Sequence, residues 1–339
     1  MANKSQKNRL LTLLLASDKP LSLMDLNEKS GNAVAERTLR RWLQQWVQQG
    51  QIQKSGQGRA TRYSCQRKTF ALTFLQGLDD DLKSSVRKQL RDLWTHASTA
   101  LEGNTLTLGD THFVLEEGLT ISGKPLKDHQ EVIGHAKAIE VVYQSLQQPL
   151  DEPIIFTLHK ALLTEQVTDI YKPQGAWKIE INGTYTISSD GKQHFIEYAK
   201  PQHVPALMQE LIAEINNSSQ HTITIANAHK IYSKIHMGLV HIHPVWDGNG
   251  RLARLLANIP LLKAGLPPLV ISQQQRRNYI QILADYQIAI GQLTPQTRVW
   301  PDSQKLASFE EFCQQAYSET QSLVEQAFVV QQKRLLTDS

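Results

Sequence analysis

Apolar residues along the 339-residue chain recur first at helical spacing, then by alternation, then at helical spacing again. Within residues 1 to 68, "QKNRLLTLLLA", "SLMDLNEKSG" and "AERTLRRWLQQWVQQG" each predict a short helix. In the third, Leu39, Trp42, Leu43, Trp46 and Val47 share one face and Gly50 follows as a stop. Ser22 and Asp25 stand at capping-box spacing ahead of Gly31. "IQKSGQGRATRYS" then alternates around Gly56 and Gly58, predicting a hairpin. A long stripe of Leu82, Val86, Leu90, Leu93, Trp94, Ala97 and Leu101 comes next and ends at Gly103-Asn104. Helical spacing returns over 128–147 and 153–164. In "GAWKIEINGTYTISSDGKQHFIEYAKP" the period becomes two, with Tyr185 and Ile187, then Phe195 and Tyr198, flanking Asp190-Gly191 as a second hairpin. "VPALMQELIAEIN", "TIANAHKIYSKIHMGLVHI" and Leu252 to Leu262 are helical, and Ser308 with Glu311 predicts a final helix towards Leu336. The pattern predicts a mainly α fold carrying two hairpins.

Composition adds an asymmetry. The net charge is +4, yet residues 1 to 68 hold 13 Lys and Arg against 4 Asp and Glu, a balance of +9 that leaves −5 for the rest. Basic residues, three helices and a hairpin in that order resemble a winged helix-turn-helix domain, in which the third helix enters a major groove and the wing touches phosphates. The resemblance implies double-stranded DNA as a partner, read by Arg37, Arg40 and Arg41 beside Glu36, with Lys54, Arg59 and Arg62 on phosphates. The same features suit a module that packs against a neighbour. No apolar run reaches the roughly 18 residues of a membrane span. Lys4, Lys7 and Arg9 before Leu10 to Ala16 imitate a signal peptide, but no small-x-small site follows, so a cytoplasmic protein is expected. Cys65 and Cys313 cannot build a disulfide framework or a four-thiolate metal site.

The densest chemistry is "HPVWDGNGRLAR", His243 to Arg254. His243-Pro244 breaks one helix, and Asp247-Gly248-Asn249-Gly250 is a tight loop feeding the next. Main-chain N–H groups at a helix start lack internal partners, glycines let a ligand approach them, and the dipole favours negative charge. Arg251 and Arg254 can fork onto phosphate oxygens. Asp247 would repel those phosphates unless a hard cation such as magnesium lay between. His243, with an ordinary pKa of about 6.5, can take a proton at neutral pH. Together these parts fit phosphoryl-type transfer. His241, His243 and Asp247 could instead be ligands of a metal-dependent phosphoesterase. Glu102 faces the unfavourable end of its helix dipole and so requires solvent or a cation.

"IHPVWDGNGRLAR" resembles the signature of the Fic family, and "HMGLVHIHP", "LLKAGLPP", the second hairpin and "RRNY" follow the family in order and spacing over residues 80 to 290. The resemblance implies a helical Fic core with a β-hairpin flap, and transfer of AMP from ATP, with Mg2+, to a protein hydroxyl. By it, His243 is the base and Asp247 the magnesium ligand. Gly248, Asn249 and Gly250 form the anion hole, and Arg251 and Arg254 the phosphate clamp. Val245 stands where the family usually has an aromatic. "STALEGN" resembles the inhibitory motif, so Glu102, with Ser98 one turn earlier, is expected to pair with Arg254, hold ATP unproductively and possess a capacity for removing AMP. The flap, 184–198, is expected to dock the protein substrate by strand pairing, and Arg276 and Tyr279 to border the adenine unless they merely serve an amphipathic helix. The implied order is a winged helix at 1–68, an inhibitory region at 69–110, a catalytic core at 111–295 and a helical segment at 296–339. A DNA-binding regulator whose Fic unit modifies itself is the alternative, and a homo-oligomer is compatible with either.

Overall fold

The computed structural model describes residues 7, 10, 14, 17, 20–29, 31, 34–48, 52–64, 72–163 and 169–337, the side chains of Arg59 and Thr337 excepted. Most of the first expected helix, Gly50, Cys65 and the segment joining the domains lie outside those residues. Residues 1–69 and 70–339 form two compact units, each with its own apolar core.

In the first unit, α1 (Leu23–Lys29) opens with a reciprocal cap in which Asp25 N donates to Ser22 Oγ at 3.1 Å and Ser22 N to Asp25 Oδ2 at 2.7 Å. α2 (Glu36–Gln48) buries Leu39, Trp42, Leu43 and Trp46 against Leu10, Leu14, Leu26 and Ile52. β1 (Gln53–Ser55) and β2 (Arg62–Ser64) pair antiparallel, and Tyr63 exchanges main-chain bonds with Leu21 at 2.8 and 2.7 Å. Gly56 is obligatory at their turn: φ is +73° and a Cβ there would strike the Ala60 carbonyl.

The second unit is built around α8 (Ile225–Ile242), whose last turns, residues 235–242, are buried all round while its first turns stay partly exposed. α3 (Asp80–Ala100), α4 (Leu108–Glu117), α5 (Leu126–Ser145) and α6 (Glu152–Leu162) precede the hairpin of β3 (Gly183–Ile187) and β4 (Gln193–Glu197). After it come α7 (Val204–Ser218), α8, α9 (Asn249–Leu256), α10 (Ile259–Lys263), α11 (Arg276–Ile290), α12 (Ala307–Ala316) and α13 (Ser318–Thr337). The α3 stripe forms as its spacing predicts, with Val86, Leu90, Trp94, Ala97 and Leu101 buried and Leu82 and Leu93 packed beside them. Gly238 lets α8 approach its neighbours, since a Cβ would meet Val299 Cγ1 at 2.9 Å and Trp300 Cζ2 at 3.0 Å. Among the described residues no helix is long and apolar enough to cross a membrane.

Two expected helices are each broken. The stretch from Leu252 to Leu262 divides because buried Asn258 turns its side chain onto Arg254 O and onto both main-chain groups of Leu269. The last helix divides at Tyr317, whose hydroxyl donates to Pro267 O at 2.8 Å. It also begins at Ala307, entered from a turn capped by Asp302 rather than by Ser308.

Candidate functional site

α8 ends at His243, which adopts φ 53°, ψ 59°, a left-handed conformation that few non-glycine residues take. This cap reverses the chain and lifts the imidazole beside the following loop. The His243 Nδ1 lies 3.3 Å from Val240 O, so Nδ1 carries the proton and Nε2 is left as the basic atom. Burial pushes the ring below its ordinary pKa, outweighing the opposing hydrogen bond to Val240 O, while the smaller effects of Lys178 and Asp247 act in opposite directions. It is therefore uncharged at neutral pH.

The loop is held from inside. Val245, where an aromatic is usual, is fully buried, and Asn249 clasps its main chain both ways, accepting from Val245 N at 3.1 Å and donating to Val245 O at 2.8 Å. Asn249 thus contributes its side chain to loop closure, leaving its main-chain N–H at the helix start. Gly248, at φ +82°, caps α9. His159, which the sequence reading passed over, accepts from Gly175 N at 3.0 Å through Nδ1 and so donates from Nε2 to Asp247 O at 3.1 Å. Burial pushes its pKa down to about 4, keeping it in this neutral form.

Arg251 is buried and reaches Asp247 Oδ2 at 3.2 Å, while the Asp247 carboxylate itself is largely exposed. Arg254 is 2% exposed and engaged at every nitrogen. Its Nε donates to Ser98 Oγ at 2.9 Å, Nη2 to Ser98 O at 2.9 Å and Glu102 Oε1 at 2.6 Å, and Nη1 to Tyr279 OH at 3.1 Å. Tyr279 OH in turn meets His236 Nε2 at 3.0 Å. Burial disfavours the Arg254 cation, but Tyr279 and Glu102 outweigh it and raise the pKa. The Glu102 carboxylate also covers the start of α9: a Cβ on Gly250 would collide with Glu102 Oε1 and stand 3.1 Å from Arg254 Nη1. An anion bound to the first N–H groups of α9 would need that space.

The fold thus brings His243, Asp247, Gly248, Asn249, Gly250, Arg251 and Arg254 together with Ser98 and Glu102. Tyr279 is buried beneath Arg254, and Arg276 donates from Nε to Leu101 O at 2.8 Å, tying the end of α3 to α11. The His241, His243 and Asp247 metal set does not assemble. His241 is buried with Nε2 on Gly291 O at 2.8 Å, and among the described residues no group of three or more His, Cys, Asp or Glu is placed to hold a metal. A single exposed carboxylate, Asp247, beside the start of α9 is nonetheless compatible with magnesium, which takes one or two carboxylates and completes its shell from phosphates and water.

Fold and site define a helical protein with a glycine-rich loop at a helix start, beside which the Glu102 carboxylate pairs with Arg254. The Fic/DOC family pattern matches residues 149–261, so the chain contains a Fic/DOC-family domain. Protein adenylyltransferase fic-1 of Caenorhabditis elegans is 30% identical over 222 residues, covering 63% of this chain and 40% of the relative. Protein adenylyltransferase Fic of Drosophila melanogaster is 33% identical over 189 residues, covering 55% and 35%. The chain thus spans well under half the length of these curated relatives. A Fic domain containing signaling protein from Bacteroides thetaiotaomicron superposes with TM-score 0.65 at 28% identity, covering 76% of this chain and 93% of that one. Fic-1 of C. elegans, TM-score 0.55 at 22% identity, shares the fold.

Proposed function

We propose that this chain is a self-inhibited protein adenylyltransferase. The observation that carries this reading is the Glu102 carboxylate lodged over Gly250 and paired with Arg254 at the start of α9. A negative group already occupies the cradle that the loop chemistry fits for phosphate. The curated relatives named adenylyltransferases point the same way.

In the reaction, the His243 Nε2 accepts the proton of a target hydroxyl. The hydroxyl oxygen attacks the α-phosphorus of ATP, the bond to the bridging oxygen breaks, and pyrophosphate leaves. Main-chain N–H groups of Asn249 and Gly250, with Arg251, face the charge that develops on the α-phosphate. Asp247 would hold magnesium, which neutralises polyphosphate charge when bound. Arg254 joins the phosphates once Glu102 withdraws. The β3–β4 hairpin exposes Tyr185, Ile187 and Phe195, a surface suited to pairing with an extended segment of the protein substrate. ATP labelled on its α-phosphate tests the reading in a lysate. Glu102→Gly should label protein well above wild type and Glu102→Gly/His243→Ala should not; equal labelling by the two variants refutes it.

A second reading applies to residues 1–69, as a winged helix that binds double-stranded DNA. It is favoured by Arg37 and Arg41, exposed on α2, and by Lys54, exposed on the hairpin. Arg40 is exposed too but paired with Glu36 at 2.7 Å, which weakens its part, and Arg62 is half-buried with Nη1 on Thr61 O. The Arg59 side chain lies outside the described residues. Duplex DNA should shift the full chain in a gel, less so as salt rises; an absent shift at low salt overturns this reading.

A further inference from the structure

The His243 Nδ1 bond to Val240 O is long at 3.3 Å and holds one edge of the imidazole only weakly. A stronger constraint comes from the hairpin. Tyr198, the residue after β4, stacks on the His243 ring with centroids 3.7 Å apart and planes 5° from parallel. Tyr198 is buried, donates from N to Asn182 O at 3.2 Å and accepts from Gln292 Nε2 at 3.1 Å through its own carbonyl. Asn182, the residue before β3, reaches Val245 O at 3.3 Å with Nδ2 and receives Lys178 Nζ on Oδ1 at 2.6 Å. Lys178, only 2% exposed, donates from its main chain to Pro244 O at 2.9 Å and places its ammonium 5.9 Å from the Tyr198 ring. Both roots of the hairpin therefore grip the catalytic loop, one by its main chain at 244 and 245, the other by the ring of His243.

We propose that Tyr198, held by Asn182 and Lys178 at the root of the hairpin, is a positioning residue that sets the plane of the His243 imidazole. The hairpin that docks the target is thereby the part that aims the base. This rests on the adenylyltransferase reading. Lys178 is buried beside a tyrosine and an asparagine, and burial pushes its pKa down to about 7, a cost maintained for a lysine whose contacts all serve this junction. No step passes through Tyr198 itself, so the stacked ring rather than the phenol hydroxyl is what matters.

The test uses the full chain in a Glu102→Gly parent, with α-labelled MgATP and a protein lysate as acceptor. Tyr198→Leu removes the flat ring and should lower the labelling rate at saturating ATP by about tenfold to a hundredfold, the scale of a slight misplacement of a reacting group. The ATP concentration giving half the maximal rate should stay unchanged, and Tyr198→Phe should restore most of the rate. The His243 Cε1–H resonance, shifted upfield by the stacked ring, should move downfield in Tyr198→Leu but hardly at all in Tyr198→Phe. Should Tyr198→Leu fail to fold, Lys178→Met is the second variant, expected to lower the same rate less severely with half-saturation unchanged. An active parent with Tyr198→Leu within twofold of it, a loss confined to half-saturation, or an unmoved His243 resonance overturns the inference alone. A parent that neither binds nor transfers nucleotide overturns the adenylyltransferase reading and this inference with it.

Discussion

Deleting the Glu102 carboxylate should turn a poor nucleotide binder into a good one, and the structure sets the scale. Arg254 donates to Glu102 at 2.6 Å, a charge-assisted bond, and such bonds are worth about 1.5 to 3 kcal/mol. The Glu102 side chain is 40% exposed, so solvent screening places the pair towards the lower end. Converted to affinity, the lower end means that Glu102→Gly should bind MgATP on the order of 10 times more tightly than wild type. Arg254 keeps Ser98 Oγ, Ser98 O and Tyr279 OH, so the variant should remain folded. Glu102→Gln removes charge but leaves a side chain over Gly250, and should fall between the two. Titration calorimetry at matched ionic strength measures all three. Equal affinity of wild type and Glu102→Gly, with thermal unfolding intact in both, would refute the reasoning.

Three further outcomes follow from the geometry. Asn249→Ala leaves the main-chain N–H of buried Val245 unpaired and its carbonyl with only the 3.3 Å bond from Asn182, so urea unfolding should report a loss of about 1 to 3 kcal/mol, accompanied by a lower labelling rate. Because the His243 pKa is lowered and its uncharged form is the base, activity of Glu102→Gly should persist as pH falls through 6.5, with its acid limb below that point; an acid limb above 6.5 contradicts the assignment. Buried His159 and His241, each pushed down to about 4, take up protons far more readily unfolded than folded. Their stabilisation is therefore complete above about pH 6.5 and is lost as pH falls towards 4, on the order of 2 kcal/mol each by pH 5, so calorimetric unfolding should move to lower temperature between pH 7 and pH 5.

The phosphate cradle was legible because its parts are neighbours in sequence: a helix-breaking His-Pro, glycines at the turn, then arginines on the first turns of α9. Glu102 was legible through the likeness of "STALEGN" to the Fic inhibitory motif, since its place at the wrong end of a helix dipole asked only for solvent or a cation. His159, Lys178 and Tyr198 carried no such local sign. Each reads as an ordinary helix, loop or strand-end residue until the fold brings it to the loop. Tyr279 fits an apolar helix face equally well, and only its hydroxyl between Arg254 and His236 gives it a further part. Val245 shows how size misleads, since a small residue is fully buried where an aromatic is usual, and Asn249 supplies the clasp. The broken helices at Asn258 and Tyr317 depend on side-chain bonds to distant carbonyls, which periodicity does not register.

The most direct measurement is a crystal structure of Glu102→Gly with Mg2+ and a non-transferable ATP analogue. The account predicts phosphate oxygens on the main-chain N–H groups of Asn249 and Gly250, Arg254 turned onto the polyphosphate, and the α-phosphate facing the His243 Nε2 across the space that a target hydroxyl would enter. A nucleotide bound away from the start of α9, with Arg254 still folded onto Ser98, would contradict it.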